Sequence, residues 1–145
     1  MYTQIINNQF SPYLIPGIPT EKVPANTGVF IKRIIDTCSC IYKATDLPEK
    51  KRKRDRVDAR YMAILLMVFL VGESLSSAAA RFKRDHSTAV HGLKIMQRLY
   101  QTDPVTRRNL SAALDQLAVQ LSARNEIKEF LLSDMTISKF RRFCL

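Results

Sequence analysis

Tryptophan is absent from the 145 residues and glycine occurs only four times. With turn residues so scarce and strand-type alternation hard to find, an all-α fold is the expectation. Cysteine is equally sparse. Cys38, Cys40 and Cys144 form an odd set with no second pair to complete a four-ligand zinc site, so reduced core thiols in a cytoplasmic protein are expected. The only histidines, His86 and His91, are five apart, off the i, i+4 spacing that places two on one metal. Carboxylates are few, 13 against 23 Lys and Arg, and lie mostly beside basic residues, which does not suggest a two-metal nuclease. No GxxxxGK[ST] loop occurs, so nucleotide hydrolysis by that route is excluded, and no catalytic constellation or cofactor site emerges. The N-terminus has no basic segment followed by an apolar one, so no signal peptide is expected. The apolar run Tyr61–Val71 falls well short of the ~20 residues that span a bilayer, so no membrane partner is expected.

What remains is a formal net charge of +10 on a chain 46% hydrophobic and 25% charged. Those proportions suit one folded domain with a single core. The charge excess points to a polyanionic partner, nucleic acid before membrane, against the plainer reading of an unspecialised basic surface. Residues 1–28 contain Pro12, Pro16, Pro19 and Pro24, spaced so that no helix runs through them. Their apolar side chains predict an extended arm packed partly on the domain. Asn26 or Thr27 can cap a helix from about 29 to 43, with Phe30, Ile31, Ile34, Ile35, Cys38, Ile41 and Tyr42 on its apolar face. A loop is expected over 44–56, then a central helix over Val57–Val71, buried on most sides. Asp103-Pro104 starts another helix, with a continuous apolar stripe of Leu110, Ala113, Leu114, Leu117, Ala118 and Leu121. Residues 122–145 read as a helical pair carrying Ile127, Phe130 and Leu131, then Ile137, Phe140 and Phe143. The chain thus divides into an arm (1–28), a helical domain (29–121) and a helical extension (122–145).

The organising stretch is Gly72–Tyr100, two helices joined by a tight turn. Leu75, Ala78, Ala79 and Phe82 have the i, i+3, i+4, i+7 spacing of a buried face, and Asp85 is a good N-cap for the next helix. On that second helix Ala89, Leu93, Met96 and Tyr100 fall on one side and Ser87, His91, Lys94 and Arg98 on the other. This is the pattern of a recognition helix, in which N-terminal residues reach base edges. Asp85 can accept from a cytosine amino group. Ser87 and Thr88 can donate or accept, and the Thr88 methyl can touch a thymine methyl. The competing role for Asp85 and Ser87 is simple helix capping. Arg84, Lys94 and Arg98 are candidate phosphate contacts. The run Lys50-Lys51-Arg52-Lys53-Arg54-Asp55-Arg56 is the densest charge in the chain, able to follow a phosphate backbone or enter a narrow minor groove, or to be only a solvated basic cluster.

The sequence FKRDHSTAVHGLKIMQRL resembles the signature F-G-G-R-D-H-T-T-V-x-H-A that closes bacterial DnaA, the chromosomal replication initiator family. Arg60-Tyr61-Met62-Ala63 resembles the family's A-R-Q-x-A-M helix start, and Ser74-Leu75 its Ser-Leu-Pro. The likeness runs over roughly residues 29–120. It implies a compact helical domain, related to Trp-repressor helix-turn-helix proteins, that binds short DnaA-box duplexes at replication origins. Carried over, Asp85, His86, Ser87 and Thr88 read bases in the major groove. An arginine of the basic loop, Arg52 or Arg54 with Lys53 and Arg56 beside it, enters the minor groove. Arg60, Leu75, His91 and Lys94 hold the backbone. The sequence departs at Lys83, where a Gly-Gly turn is shortened by one residue, at Ser76 in place of Pro, and at Val68, where the family often has Lys. The initiator's ATPase and oligomerisation domains have no counterpart in these residues.

The expectation is therefore a non-enzymatic, sequence-specific binder of double-stranded DNA acting in replication initiation or its regulation, independent of nucleotide. Two alternatives stand beside it: a transcriptional regulator on unrelated sites, and a helical interaction module in which two copies pair through the leucine stripe or the C-terminal helices.

Overall fold

Residues 24–43 and 54–144 are described by the computed structural model, and every regular element among them is a helix. Helix α1 (Pro24–Tyr42) is followed by α2 (Arg54–Leu66), a π-helical segment (Met67–Val71), α3 (Leu75–Ala80), α4 (His86–Thr102), α5 (Pro104–Gln116), α6 (Leu121–Leu132) and α7 (Ile137–Cys144). The axis of the bundle is Met62–Val68, buried at every position. A helix that is apolar all round can be stable only when neighbours enclose it. Here α1 supplies Ile31, Ile34 and Cys38, the α3–α4 pair supplies Ala78, Ala79, Phe82, Leu93 and Met96, and α5 supplies Leu110, Ala113 and Leu114. Helices α6 and α7 close the remaining side with Ile127, Phe130, Leu131, Ile137 and Phe140. Phe69, Phe130 and Phe140 meet there with ring centroids 5.2–6.2 Å apart.

The C-terminal pair is tied to α4 by hydrogen bonds as well as by apolar contact. Gln97 donates to the carbonyls of Phe130 (3.0 Å) and Met135 (2.9 Å), and Gln101 donates to that of Leu131 (2.9 Å). Arg141 of α7 donates to the Val68 carbonyl at 3.1 Å, reaching the π-helical segment.

Several boundaries differ from expectation. Helix α1 begins at Pro24, where a ring-fixed φ suits the first helical position, so Asn26 and Thr27 lie inside the helix. The expected 44–56 loop ends early because Arg54, Asp55 and Arg56 belong to α2, whose first turn is favoured by the Asp55 carboxylate. The rest of that loop lies outside the described residues, as does the 1–23 stretch of the expected arm. The central helix changes to π geometry at Met67 and stops at Gly72, whose φ of +82° favours glycine. Cys38 is buried as expected, but Cys40 is exposed. The leucine stripe is also interrupted. Ala118 turns left-handed (φ +53°), Val119 N–H bonds back to the Leu114 carbonyl at 3.0 Å, and α5 ends. Arg124 then binds the carbonyls of Leu114 and Val119 (3.1 and 2.7 Å) and the Asp115 carboxylate (2.6 Å). Leu110, Leu114 and Leu117 are consequently spent on the protein's own core, while Leu121 opens α6 with 71% of its surface exposed. A dimer built on that stripe has lost its seam.

Candidate nucleic-acid interface

Helices α3 and α4 form the expected helix-turn-helix. Ser74 caps α3 by accepting the Ser77 N–H at 3.1 Å. Glu73, just before it, receives two bonds of 2.8 Å from Arg81 at the far end of the helix, plus one from the Ser77 hydroxyl. The Arg81 bond is the main reason the Glu73 carboxyl is held below its ordinary value. Sequence reasoning passed over this pair, which locks a six-residue helix too short to persist alone. The turn itself is made by Lys83 at φ +57°, with Lys83 and Arg84 N–H groups bonding to the Ala80 and Ala79 carbonyls, both at 3.0 Å.

Asp85 then caps α4. Its carboxylate accepts the Thr88 N–H at 3.0 Å and the Thr88 hydroxyl at 3.1 Å, and these two bonds hold its pKa down although it is fully exposed. The capping role proposed from sequence is therefore real. It also engages Thr88, whose hydroxyl hydrogen is committed to Asp85 while the oxygen keeps lone pairs available to accept. His86 and Ser87 are exposed and Thr88 is half-buried. His91, Lys94 and Arg98 are exposed along the same helix, while Ala89, Leu93 and Met96 are buried beneath. The amphipathic division read from spacing is the division observed.

Between α2 and the start of α4 lies a cavity of about 500 Å³ lined by Val57, Arg60, Tyr61, Arg84, Ser87, Thr88 and His91, with no carboxylate among them. Arg60 is only 4% exposed. Burial first, then the nearby Arg84 and Arg56 charges, depress its pKa. Buried Nε of Arg84 and Nη1 of Arg56 have no hydrogen-bond partner. The Arg84 Nε, on a residue that lines the cavity, is a buried donor of the kind that an anion could satisfy. Leu75 is half-buried at the start of α3. Arg54 opens α2, and Arg52 and Lys53 lie outside the described residues. Tyr61 and Val57, which wall the cavity, were missed because they read as core residues of an apolar helix. The signal that was available is Gly92, a glycine in the middle of an otherwise regular helix.

Residues 31–95 match a family model described as the bacterial dnaA protein helix-turn-helix. Over 90 residues the chain is 27% identical to chromosomal replication initiator protein DnaA 2 of Chlamydia pneumoniae, covering 61% of this chain and 20% of that protein. Over 120 residues it is 33% identical to chromosomal replication initiator protein DnaA of Laribacter hongkongensis strain HLHK9, covering 80% of this chain and 25% of that protein. The chain thus spans a quarter or less of the length of these relatives. No solved structure matches it.

Proposed function

We propose, from the match of residues 31–95 to the bacterial dnaA protein helix-turn-helix, that the protein binds a preferred double-stranded DNA site resembling a DnaA box. It acts in replication initiation or its control, as a nucleoid-associated protein of the cytoplasm. The observation that carries this reading is the juxtaposition of two things. Helix α4 presents Ser87, His91, Lys94 and Arg98 on one exposed face, with His86 exposed in its first turn, and its N-terminus adjoins a cavity lined by Arg60 and Arg84 and by no carboxylate. In this reading Asp85, His86, Ser87 and Thr88 read base edges. Arg60, Leu75, Arg84, His91, Lys94 and Arg98 hold phosphates, and Arg52, Lys53, Arg54 and Arg56 approach the minor groove. Residues 29–121, with α1 extending them back to Pro24, are the binding unit, and 122–145 are a brace. If two copies pair through the C-terminal helices, exposed Leu121 and Leu132 are the side chains available, which sedimentation would report.

Affinity and specificity should divide between the two groups of residues. Thr88→Ala or His86→Ala is expected to cost ~1–3 kcal/mol on the preferred site and little on random DNA. Lys94→Ala is expected to weaken both equally and to reduce the salt slope, roughly −5 for about six phosphate contacts, by about one unit. Competition titrations against origin-derived and scrambled duplexes provide the test. Equal losses on both duplexes from Thr88→Ala would remove the base-reading role. The same 145 residues are proposed to work without ATP, and saturable ATP binding by the purified protein would overturn that.

A further inference from the structure

Gly92 lies buried in the middle of α4, where alanine has the better helix propensity. The reason for glycine is Tyr61 of α2. A Cβ placed at Gly92 would overlap Tyr61 Cδ1 and stand 2.8 Å from Cε1 and 3.0 Å from Cγ. The tyrosine ring therefore occupies the space that any larger residue at position 92 would need. From that seat its ring meets the imidazole of His91, with centroids 6.2 Å apart and planes at 85°, an edge-to-face contact. Tyr61 and His91 are also neighbours in the wall of the cavity that Arg60 and Arg84 line.

Taken with the exposure of His91, this arrangement assigns a task to the ring. An exposed imidazole on a helix surface samples several rotamers, and ordering it on binding costs conformational entropy. An aromatic ring fixed beneath it by close packing on a glycine removes part of that cost in advance. We infer that Tyr61 is a positioning residue for DNA backbone binding. Seated on Gly92, its ring holds His91 at the mouth of the arginine-lined cavity, so that His91 meets a phosphate already oriented. The inference rests on the DNA-binding reading above and concerns the ring, not the hydroxyl.

The test is a set of duplex titrations on the whole protein, with circular-dichroism melts to confirm that each variant is folded. Tyr61→Ala is expected to weaken binding about tenfold, equally on preferred and random duplexes, because a backbone contact carries no sequence. Tyr61→Phe should remain within about twofold. Gly92→Ala should match Tyr61→Ala, and adding Gly92→Ala to Tyr61→Ala should cost nothing further, since the ring that it displaces has gone. His91→Ala combined with Tyr61→Ala should be no weaker than the worse single variant. The ring-current displacement of the His91 proton resonances should vanish in Tyr61→Ala and in Gly92→Ala. If the His91 and Tyr61 effects multiply, or if Tyr61→Ala binds as tightly as the parent, the inference falls while the DNA reading stands. A parent protein that binds no duplex at all overturns the DNA reading and this inference with it.

Discussion

Replacing Gln97 by methionine asks whether the recognition helix is held from behind. Gln97 is 7% exposed, and its amide donates to two carbonyls near the α6–α7 junction, Phe130 at 3.0 Å and Met135 at 2.9 Å. Methionine fills nearly the same volume and bends readily, so packing changes little. The hydrogen bonds are lost. Phe130 keeps both the N–H and the hydroxyl of Ser133, at 3.1 and 2.8 Å, so its carbonyl is not orphaned. The penalty therefore falls mainly on the Met135 carbonyl. Two net hydrogen bonds are worth ~0.5–1.5 kcal/mol each, and an abandoned, part-buried acceptor adds ~1 kcal/mol or more. The expected loss is about 2–4 kcal/mol, a melting-temperature drop of roughly 7–13 °C for a chain of this size. Urea and thermal melts read it directly. Gln101→Met, which removes one bond from an exposed residue, should cost only ~0.5–1 kcal/mol. A Gln97→Met loss below ~0.5 kcal/mol would mean that α6–α7 is not braced through this side chain.

Phe82, with none of its surface exposed, should cost ~3–5 kcal/mol when truncated to alanine, read by chemical denaturation; an unchanged midpoint would remove it from the core. Acidification should destabilise the helix-turn-helix. Glu73, lowered chiefly by the Arg81 bond, and Asp85, lowered chiefly by the Thr88 N–H, both stabilise the fold above their ordinary values of 4.5 and 3.8 and lose that contribution as pH falls through their folded values. Glu126, raised mainly by burial, acts in the opposite sense, its stabilising share disappearing as pH rises. Melting temperatures from pH 6 to pH 2 should therefore fall below about 4.5, less steeply in Asp85→Asn. A midpoint that climbs on acidification would contradict the assignment.

The sequence disclosed those parts of the fold that periodicity controls. Phe82, Leu93 and Met96 are buried, and Ser87, His91, Lys94 and Arg98 are exposed, because a helix with one apolar stripe has only one way to face a core. Helix ends were far less legible, and glycine scarcity explains why. Lys43, Lys83 and Ala118 all take positive φ at the ends of helices, where sequence rules look for glycine. The α5–α6 break at Ala118 was thus invisible, and one long stripe was read where the chain turns. The cavity was hidden for a different reason. Its walls come from α2 and α4, some thirty residues apart, and Tyr61 beside Ala63 and Ile64 looks like any other core aromatic. Asp85 could be read two ways from sequence, as cap or as base contact. Its bonds to Thr88 establish the cap and leave the base contact to DNA titration.

Lys83 allows the shortened turn to be tested in isolation. The residue is exposed, at φ +57°, and its N–H and that of Arg84 close the end of α3 on the Ala80 and Ala79 carbonyls. An L-residue in that conformation costs ~1–2 kcal/mol through its Cβ. Glycine removes this cost but gives back ~0.5–1 kcal/mol in unfolded-chain entropy. Lys83→Gly should therefore stabilise the protein by ~0.5–1 kcal/mol without altering the angle between α3 and α4. Ala118→Gly, at φ +53° on the α5–α6 turn, is the matched control and should gain a similar amount. Lys83→Val, which adds a branched Cβ at the same φ, should lose at least ~1 kcal/mol. If the turn fixes the angle, Lys83→Gly should change duplex affinity by no more than the loss of one surface cation, seen as a salt slope about one unit smaller. A Lys83→Gly protein that melts lower than the parent while Ala118→Gly melts higher would show that the lysine side chain, not the backbone, holds the turn.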